Sequence, residues 1–367
     1  MDDQGRAMGV LVVGAGYLGA QRAAACRLVE GLRLVAVTDV DAGRAEALAA
    51  RHGAVAVTNL ESGLESGGVD AVVVATPHGD HAEAIQLALE AGKHVLCEKP
   101  LTIRAEDARA LATLADESRL RLATGLNHRF YPPVRDALVL AASWSIGRVE
   151  GVRARIGHLA SPEFLQSWHT EVARSGGGTL MDNGPHACDL IRLLIGEVVL
   201  AKGFVRQDVR YPTGCEVEAF ALFRNHDNAI AELHSSWSLR QGYLTLEVRG
   251  SEGFLKVETA PWRLTGTLAD GRRVDRRYLA ERIKDRVHRA RFGCESSIVR
   301  ELEALASPKS AHPRAAATGW DGCRATEMIQ AVYQSDRTGD EVHLKPLLVH
   351  LPSGVRRRAI RDREPRR

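Results

Sequence analysis

The chain has 367 residues, more than a single hydrophobic core usually accommodates, and its 45% hydrophobic content is enough for two cores. Its formal net charge of +3 is small for this length and indicates no nucleic-acid-binding surface. Six scattered cysteines without a C-x-x-C pair indicate reduced thiols, and the first apolar run is too short for a signal peptide or a membrane span. We therefore expect a cytoplasmic protein without membrane or nucleic-acid partners.

The region from residue 9 to 124 alternates short β-branched runs with alanine-rich helical stretches, which is typical of βαβ units that feed a parallel sheet. Strands are predicted at residues 10–13, 32–38, 55–57, 71–75, 94–98 and 121–123. Helices are predicted at residues 17–29, 41–52, 80–91 and 103–118, each with apolar residues at helical spacing. This pattern predicts a doubly wound Rossmann domain over residues 1–127.

The rhythm changes after this first domain. A helix is predicted at residues 131–142, then strands at 149–157, 219–223, 229–237 and 244–248 with an alternating pattern. Helices return at 295–306 and 325–335, before a last strand at 341–344. We therefore predict an α/β chain whose second domain, residues 128–350, is α+β with a large, mostly antiparallel open sheet. Residues 351–367 are rich in arginine and are expected to form a basic, mobile tail.

A glycine-rich turn, Gly14-Ala15-Gly16-Tyr17-Leu18-Gly19, follows the first predicted strand and opens a helix. In that context the G-x-G-x-x-G pattern indicates a dinucleotide site. Gly14 allows the tight turn, Gly16 lets the backbone approach a pyrophosphate, and Gly19 permits close contact between helix and sheet. Tyr17 and Leu18 are predicted to lie beside the cofactor with them.

A carboxylate follows the second predicted strand, since Asp39 stands twenty residues past Gly19. At that position a carboxylate binds an adenosine ribose diol and repels a 2′-phosphate. Arg44 begins the next helix and could soften this preference by offering a cation to a phosphate. We therefore predict NAD as the cofactor, with NADP less favoured.

Two further segments open onto the ligand-binding edge of the predicted sheet. Thr76 and Pro77 follow the fourth strand, and Glu98-Lys99-Pro100 ends the fifth. Because ligands bind at the carboxyl edge of such a sheet, these residues are predicted to face the cofactor, with Lys99 held extended by the following proline. His81 lies at the start of the next helix and is a further candidate for cofactor contact.

The segment SGGGTLMDNGPH, residues 175–186, places an acid and an imidazole one helical turn apart. Pro185 suits the first position of a helix, which puts His186 in the opening turn and Asp182 in the turn before it. The positive helix end favours a neutral, basic His186, and Asp182 would orient that ring or hold a substrate hydroxyl. Oxidation of an alcohol needs a base and a group that stabilises alkoxide character, and His186 and Lys99 can fill those roles.

These motifs resemble the glucose-fructose oxidoreductase, inositol dehydrogenase and rhizopine-catabolism family, Gfo/Idh/MocA, from about residue 10 to 344. The resemblance rests on the glycine turn, Ala75-Thr76-Pro77 with His81, Glu98-Lys99-Pro100, Asn127-His128-Arg129-Phe130, and the glycine segment that ends in Asp182 and His186. It implies a Rossmann domain followed by an open sheet whose face packs in a homo-oligomer, a dimer or a tetramer. It also implies Lys99, Asp182 and His186 as the catalytic set, Glu98 and Asn127 as cofactor contacts, and sugars, cyclitols or their amino or acid derivatives as substrates.

Substrate contacts outside these motifs are expected in the loop at residues 159–174. Trp168 and His169 could stack on a sugar ring and bind its hydroxyls, with plain packing as the equal alternative. Arg155, on the long predicted strand, is a further candidate. Isolated histidines, His128, His158, His234 and His288 among them, are interpreted as structural or exposed, whereas His78, like His81, lies at a helix start where backbone contact with the cofactor is possible. No spacing suggests a metal site.

The leading hypothesis is an NAD(P)-dependent oxidoreductase that transfers hydride between nicotinamide C4 and a secondary alcohol carbon of a sugar, amino sugar or cyclitol. Lys99 and His186 would supply the acid–base chemistry. An alternative is an epimerase or glycosidase that retains NAD and acts through a transient keto sugar without net redox. A silent dinucleotide-binding scaffold is disfavoured, because binding alone does not need Lys99, Asp182 and His186.

Overall fold

The computed structural model describes residues 6–208, 214–240, 243–306 and 316–345, which form two sheets with helices packed on them. The strands are β1 Met8–Val13, β2 Leu32–Thr38, β3 Val55–Ala56, β4 Ala71–Val74, β5 His94–Glu98, β6 Leu122–Gly125, β7 Val149–Gly157, β8 Val198–Arg206, β9 Glu218–Asn225, β10 Ile230–Ser236, β11 Leu244–Gly250, β12 Phe254–Thr259, β13 Trp262–Thr267, β14 Arg273–Arg277, β15 Ala317–Thr318 and β16 Val342–His343. The helices are α1 Tyr17–Cys26, α2 Ala42–His52, α3 Leu60–Glu65, α4 His81–Glu90, α5 Ala105–Glu117, α6 Pro132–Ala142, α7 Pro162–Leu165, α8 Val172–Ser175, α9 Thr179–Asp182, α10 Gly184–Ile195, α11 Leu279–Phe292, α12 Ser296–Ala306 and α13 Gly319–Thr338.

The first sheet has the strand order β15-β6-β5-β4-β1-β2-β3, and its strands are parallel except for β15. Strand β1 pairs with both β2 and β4, so the direction of winding reverses between β1 and β4. The carboxyl ends of these two strands frame the crevice where a doubly wound sheet binds its ligand. The predicted Rossmann fold is confirmed.

Local sequence accounts for the helices and strands around this crevice. Strands β1 and β4 are buried along their whole length, as expected for a sheet that helices cover on both faces. Helix α2 begins where the side chain of Asp41 accepts a hydrogen bond from the Arg44 amide at 3.1 Å, and it ends at Gly53, whose φ of 68° suits glycine. Helix α3, which the sequence analysis did not predict, begins with the same kind of cap at Asn59.

The second sheet has the order β14-β13-β12-β11-β7-β10-β9-β8-β16, and its pairs are antiparallel except for β7 with β10. The predicted open, mostly antiparallel sheet is confirmed. Strand β7 alternates as expected, with Ala154 and Ile156 buried and Arg153 and Arg155 exposed on the opposite face. Helices α6, α10 and α13 pack on the inner face, whereas none of the described helices covers the outer one.

The last part of the chain returns to the first sheet. Strand β15 pairs with β6, and helix α12 packs against α1, where Ile298 and Leu302 join the apolar core of the first domain. Arg22 on α1 forms buried ion pairs with Glu98 at the end of β5 and with Glu301 on α12, both at 2.7 Å. The domain boundary at residue 127 stays a prediction. Because of these contacts, β15 and α12 from the second half of the chain pack on the first domain.

The predicted elements differ from the structure mainly in the second half. Strands β8, β12, β13 and β14 and helix α11 were not predicted, because charged residues and glycines interrupt the alternation of several of these segments. Helix α13 begins at Gly319, before the predicted start at residue 325, since Thr318 and Asp321 form a capping box there. The predicted tail at residues 351–367 lies outside the described residues. No helix in the described part of the chain is long and apolar enough to cross a membrane.

Candidate active site

A cleft runs between the carboxyl edge of the first sheet and the elements that cover the second sheet. The predicted site residues that line it are Gly14, Gly16, Tyr17, Leu18, Asp39, Thr76, Pro77, Glu98, Lys99, Asn127, Trp168, His169, Asp182 and His186. Gly19, His81 and Arg155 lie outside its wall. The structure therefore brings residues from both domains to one place.

The glycine turn leaves room for a ligand at the start of α1. Gly14 has a φ of 96°, and a Cβ there would lie 2.5 Å from the carbonyl oxygen of Ala75. A Cβ on Gly19 would lie 1.7 Å from the carbonyl oxygen of Gly14, so the helix packs directly on the turn. Around Gly16, in contrast, no atom lies within 4 Å of the position a Cβ would take. This open space beside free helix amides fits a pyrophosphate.

The carboxylate of Asp39 is fixed at the end of β2. Its Oδ2 accepts a hydrogen bond from the Ala15 amide at 2.6 Å, and its Oδ1 accepts one from the Asp41 amide at 2.8 Å. Arg44 also lines the cleft, but its mostly exposed side chain pairs with Asp41 at 3.3 Å. The anion beside the glycine turn is thus held in place, while the nearby cation is partly neutralised.

Two residues of the cleft wall offer further contacts to a dinucleotide. The hydroxyl of Thr76 is buried and has no hydrogen-bond partner among the described residues, which is the situation of a group that awaits a ligand. Tyr17 is exposed at the rim, where its hydroxyl accepts a hydrogen bond from Arg289 of α11. Together with the glycine turn and Asp39, these residues fit the dinucleotide that the sequence indicates.

Three residues predicted at the cofactor are already engaged within the protein. The Glu98 carboxylate accepts a hydrogen bond from Arg22 Nε at 2.7 Å, and Asn127 Nδ2 donates to the Ser297 hydroxyl at 3.1 Å. Both still line the cleft. His81 is fully buried, with Nδ1 2.8 Å from the Pro100 carbonyl oxygen and Nε2 3.0 Å from the Thr76 carbonyl oxygen. Its ring therefore ties together two strand ends, and it does not reach the space where a cofactor would lie.

Lys99 and Asp182 form the central pair of the cleft. The Lys99 ammonium donates hydrogen bonds to the Asp182 side chain and to the Asp182 backbone carbonyl, both at 2.7 Å. Burial alone would raise the pKa of Asp182, but the charge and hydrogen bond of Lys99 hold that pKa below its usual range. The second carboxylate oxygen accepts from Trp237 Nε1 at 3.3 Å and from Asn183 Nδ2 at 3.2 Å. Asp182 therefore orients the Lys99 ammonium. The sequence analysis had offered the His186 ring, or a substrate hydroxyl, as the group that Asp182 would hold.

His186 lies in the first turn of α10, as predicted, and presents an imidazole to the same cleft. Its ring stacks on His128 with a centroid distance of 3.7 Å and an interplanar angle of 14°. Within the described ranges, Nδ1 of each ring is buried without a hydrogen-bond partner. Burial, followed by the neighbouring His128 and Lys99, keeps the pKa of His186 well below its ordinary value. Burial therefore favours the neutral form of the ring.

Aromatic side chains form one wall near the Lys99–Asp182 pair. His169 stacks between Trp168, at 3.9 Å between ring centroids, and Phe164, at 4.7 Å. All three rings line the cleft, so the predicted contact of Trp168 and His169 with a ligand remains available. Arg155 does not share this position. Because side chains alternate along a strand and Ala154 and Ile156 point into the core, Arg155 points to the outer face of the second sheet, away from the cleft.

Several lining residues were missed by the sequence analysis. His128 was interpreted as structural, although its place in the Asn127-His128-Arg129-Phe130 motif was an available signal. Tyr131 and Tyr243 also line the cleft, and Trp237 reaches Asp182 from the end of β10. No local pattern marks these aromatic residues, because the tertiary fold alone brings them to the site. No three metal-ligating side chains converge anywhere in the described ranges.

Comparison with known proteins agrees with the fold and with these motifs. Residues 8–126 match the model of an oxidoreductase family with an NAD-binding Rossmann fold, and residues 134–256 match the Gfo/Idh/MocA C-terminal domain. The chain is 32% identical to 1,5-anhydro-D-fructose reductase of Ensifer adhaerens over 61% of this chain and 68% of that protein. It is 29% identical to inositol 2-dehydrogenase of Rhizobium meliloti over 67% of this chain and 74% of that protein.

A solved structure supports the same relationship. GenD2 from gentamicin A biosynthesis, crystallised in complex with NAD, is 28% identical and superposes with a TM-score of 0.76 over 93% of this chain and 97% of that one. Fold and site together define an NAD-binding Rossmann oxidoreductase. More specifically, the chain belongs to the Gfo/Idh/MocA oxidoreductase family.

Proposed function

We propose that the protein transfers hydride between nicotinamide C4 and a secondary alcohol carbon of a sugar, amino sugar or cyclitol. The observation that carries this proposal is the convergence of Lys99, Asp182 and His186 on the cleft into which the glycine turn opens. When bound there, NAD supplies the hydride acceptor. The names of the sugar-reducing and inositol-oxidising relatives support this substrate class.

The side chains of the cleft divide the chemistry at the alcohol oxygen. His186 is neutral and accepts the hydroxyl proton. The Lys99 ammonium donates a hydrogen bond to the same oxygen and stabilises its alkoxide character, while Asp182 holds that ammonium through two hydrogen bonds. Trp168 and His169 pack against the substrate ring and bind its hydroxyls, which keeps the reacting carbon in place.

We propose NAD as the preferred cofactor. The carboxylate of Asp39 is fixed by two backbone amides, so it cannot move aside for a 2′-phosphate without losing both hydrogen bonds. Arg44, the cation nearest to this position on α2, is drawn to Asp41. The local charge therefore favours a ribose diol over a ribose phosphate.

We also propose that the protein is a homo-oligomer, a dimer or a tetramer, assembled through the outer face of the second sheet. Apolar side chains stand exposed on that face, among them Phe220 and Leu222, which are 50% and 52% exposed. An apolar surface of this kind is typical of a protein contact.

The test is a screen of cyclitols, aldoses, amino sugars and nucleotide sugars with NAD and with NADP, followed at the absorption band of reduced nicotinamide. We expect reduced cofactor to form in proportion to product with at least one polyol, and NAD to be used better than NADP. In His186→Ala, loss of the base is expected to lower kcat by about 10²-fold or more. Lys99→Met is expected to lower it comparably, because the cation at the alkoxide is gone.

Matched controls are Lys284→Met and His226→Ala, since both residues are exposed and lie outside the cleft. These variants should keep wild-type turnover. Full turnover in both Lys99→Met and His186→Ala would remove the proposed roles. Product without net reduced cofactor would instead favour a cycle in which the cofactor is retained.

A further inference from the structure

The glycine run at residues 176–178 is shaped by two residues that lie outside the cleft. A Cβ on Gly177 would lie 2.2 Å from the hydroxyl oxygen of Tyr333, and a Cβ on Gly178 would lie 2.0 Å from the backbone oxygen of Glu216. Side chains larger than hydrogen would therefore push the loop away from α13 and from the residues that precede β9. The glycines therefore let this loop pack closely against Tyr333 and Glu216. These residues lie outside the cleft, so contact with a cofactor does not account for the glycines.

Glu216 binds the backbone of this loop at several points. Its Oε2 accepts a hydrogen bond from the Gly178 amide at 2.7 Å, and its Oε1 accepts one from the Leu180 amide at 2.9 Å and one from the Tyr333 hydroxyl at 2.8 Å. Its own backbone oxygen accepts from the Thr179 amide at 3.0 Å. Glu216 is only 4% exposed, so these groups have no alternative partner in solvent.

These hydrogen bonds fix the first turn of α9, which carries Asp182 at its end. The Asp182 amide donates to the Gly178 carbonyl at 3.0 Å, so the acid follows the position of the loop. Both acceptors for the Lys99 ammonium, the Asp182 side chain and the Asp182 carbonyl, belong to this turn. A displacement of the turn would therefore move both of them relative to Lys99.

We propose that Glu216 is a positioning residue for the reaction: its carboxylate holds the backbone of residues 178–180, and thereby sets the geometry of the Lys99–Asp182 pair. Glu216 does not line the cleft, so its role would act through the residues it holds. Among the described residues its buried carboxylate accepts three hydrogen bonds from neutral donors and pairs with no cation, which suits a structural anchor for amides. The inference rests on the proposed function for its kinetic readout.

Three variants separate positioning from general stability. In Glu216→Ala two loop amides lose their acceptor, and a misplacement of the pair by about 1 Å is expected to lower kcat by about 10²-fold. Glu216→Gln keeps one carbonyl oxygen, so it can hold one of the two amides, and its kcat should lie between the wild type and the alanine variant. Tyr333→Phe is the matched control, because it removes a donor to the same carboxylate and leaves both loop amides bound. Its kcat should stay within about threefold of wild type.

The measurements are kcat at saturating cofactor and substrate, the Kd of NADH by fluorescence titration, and crystal structures of the wild type and of Glu216→Gln. The proposal expects the graded loss of kcat, with the Kd of NADH within about twofold of wild type because the glycine turn near β1 does not contact Glu216. It also expects a longer Lys99–Asp182 distance in the crystal structure of the variant. A kcat of Glu216→Gln equal to that of Tyr333→Phe, or a Kd that weakens in step with kcat, would overturn it.

The crystallographic readout keeps this inference separate from the proposed function. A wild-type protein that oxidises no polyol, combined with a Glu216→Gln structure in which the pair has opened, would refute the function and support the positioning role. An active wild type with an unchanged Lys99–Asp182 pair in the variant would support the function and refute the positioning role. Because glutamine is nearly isosteric with glutamate, this variant is expected to fold even if the alanine variant does not.

Discussion

His186 is the residue whose environment most clearly sets its chemistry. Its ring is buried, stacked on His128 and close to the Lys99 ammonium, so the protonated form is disfavoured and the pKa lies well below 6.5. A base with a lowered pKa stays unprotonated as the pH falls past 6.5, and it loses activity only at lower pH. We therefore expect the acid limb of kcat/KM for alcohol oxidation to lie below that value. The check is a pH profile in the oxidation direction, with Asp182 and Lys99 intact.

The matched variant for this profile is His128→Phe, which keeps an aromatic ring in the stack but removes one titratable neighbour. Its limb should remain below the ordinary histidine value, because burial is the largest cause of the shift. An acid limb at or above pH 6.5 in the wild type would contradict the assignment of a neutral His186 as the base.

At the level of single residues, the sequence predicted which groups would meet but not all of their partners. Lys99, Asp182 and His186 carry recognisable motifs, and the structure brings all three to one cleft. The pairing of Asp182 with Trp237, 55 positions away, depends on where β10 ends and has no local signal. Glu216 was missed for the same reason, since a lone glutamate before a strand looks like an ordinary surface residue until its burial is known.

Helix α12 is the element that joins the late chain to the cofactor domain. Glu301 on this helix shares the guanidinium of Arg22 with Glu98 in a buried cluster. Burial is the main cause that raises the pKa of Glu301, to about 7, although Arg22 opposes the rise. A carboxyl group whose folded pKa exceeds its unfolded value binds more protons in the folded state. It therefore lowers the free energy of unfolding as the pH rises between the two values, here from about 4.5 to about 7.

Glu301→Gln should remove this pH dependence. Relative to wild type, the free energy of unfolding of the variant is expected to rise with pH by up to roughly 1.4 kcal/mol per pH unit within that window, and to level off above it. Urea unfolding at several pH values from about 5 to about 8 measures this difference. Glu303→Gln, an exposed neighbour on the same helix, is the control and should show a flat difference. A flat difference for Glu301→Gln as well would refute the contribution of its carboxyl group.

Helix α12 was predicted from its apolar spacing, but its packing on the first domain was not. Helical periodicity shows that one face is buried, but it does not say which sheet receives that face. The same limit explains the strands. β1 and β4 are clear β-branched runs, while β14 contains four arginine or aspartate residues in five and is exposed along most of its length. Such an edge strand is held by pairing with β13 and not by burial of its own side chains.

On the scale of the whole molecule, the outer face of the second sheet stands out because it exposes several large apolar side chains. Phe204 and Phe220 lie opposite each other on β8 and β9, and both are at least half exposed, as are Leu222, Ile230 and Phe254. His234 stacks on Phe220 at 4.2 Å, so the apolar area is continuous with the neighbouring strand. Exposing such an apolar surface to water is unfavourable, and a second copy of the chain packed on this face would bury these side chains.

We expect the wild type to elute as a dimer or tetramer in size-exclusion chromatography with light scattering, and Phe220→Glu combined with Leu222→Glu to shift it towards monomer. Charged groups on the facing copies would have to be buried without partners, which is costly. Val139→Glu is the matched control, because Val139 is 62% exposed on α6, which packs on the inner face of this sheet and not on the outer one. A monomeric wild type at micromolar concentration would count against the assembly.

The antiparallel strand β15 closes the parallel sheet of the first domain with residues that follow 316 in the chain. During translation, the nucleotide-binding half therefore leaves the ribosome with one sheet edge and one flank of α1 bare, and it obtains both covers only when most of the polypeptide has been made. Because β15 and α12 come from the late part of the chain and cover the first domain, we expect both halves to unfold together in a single thermal transition.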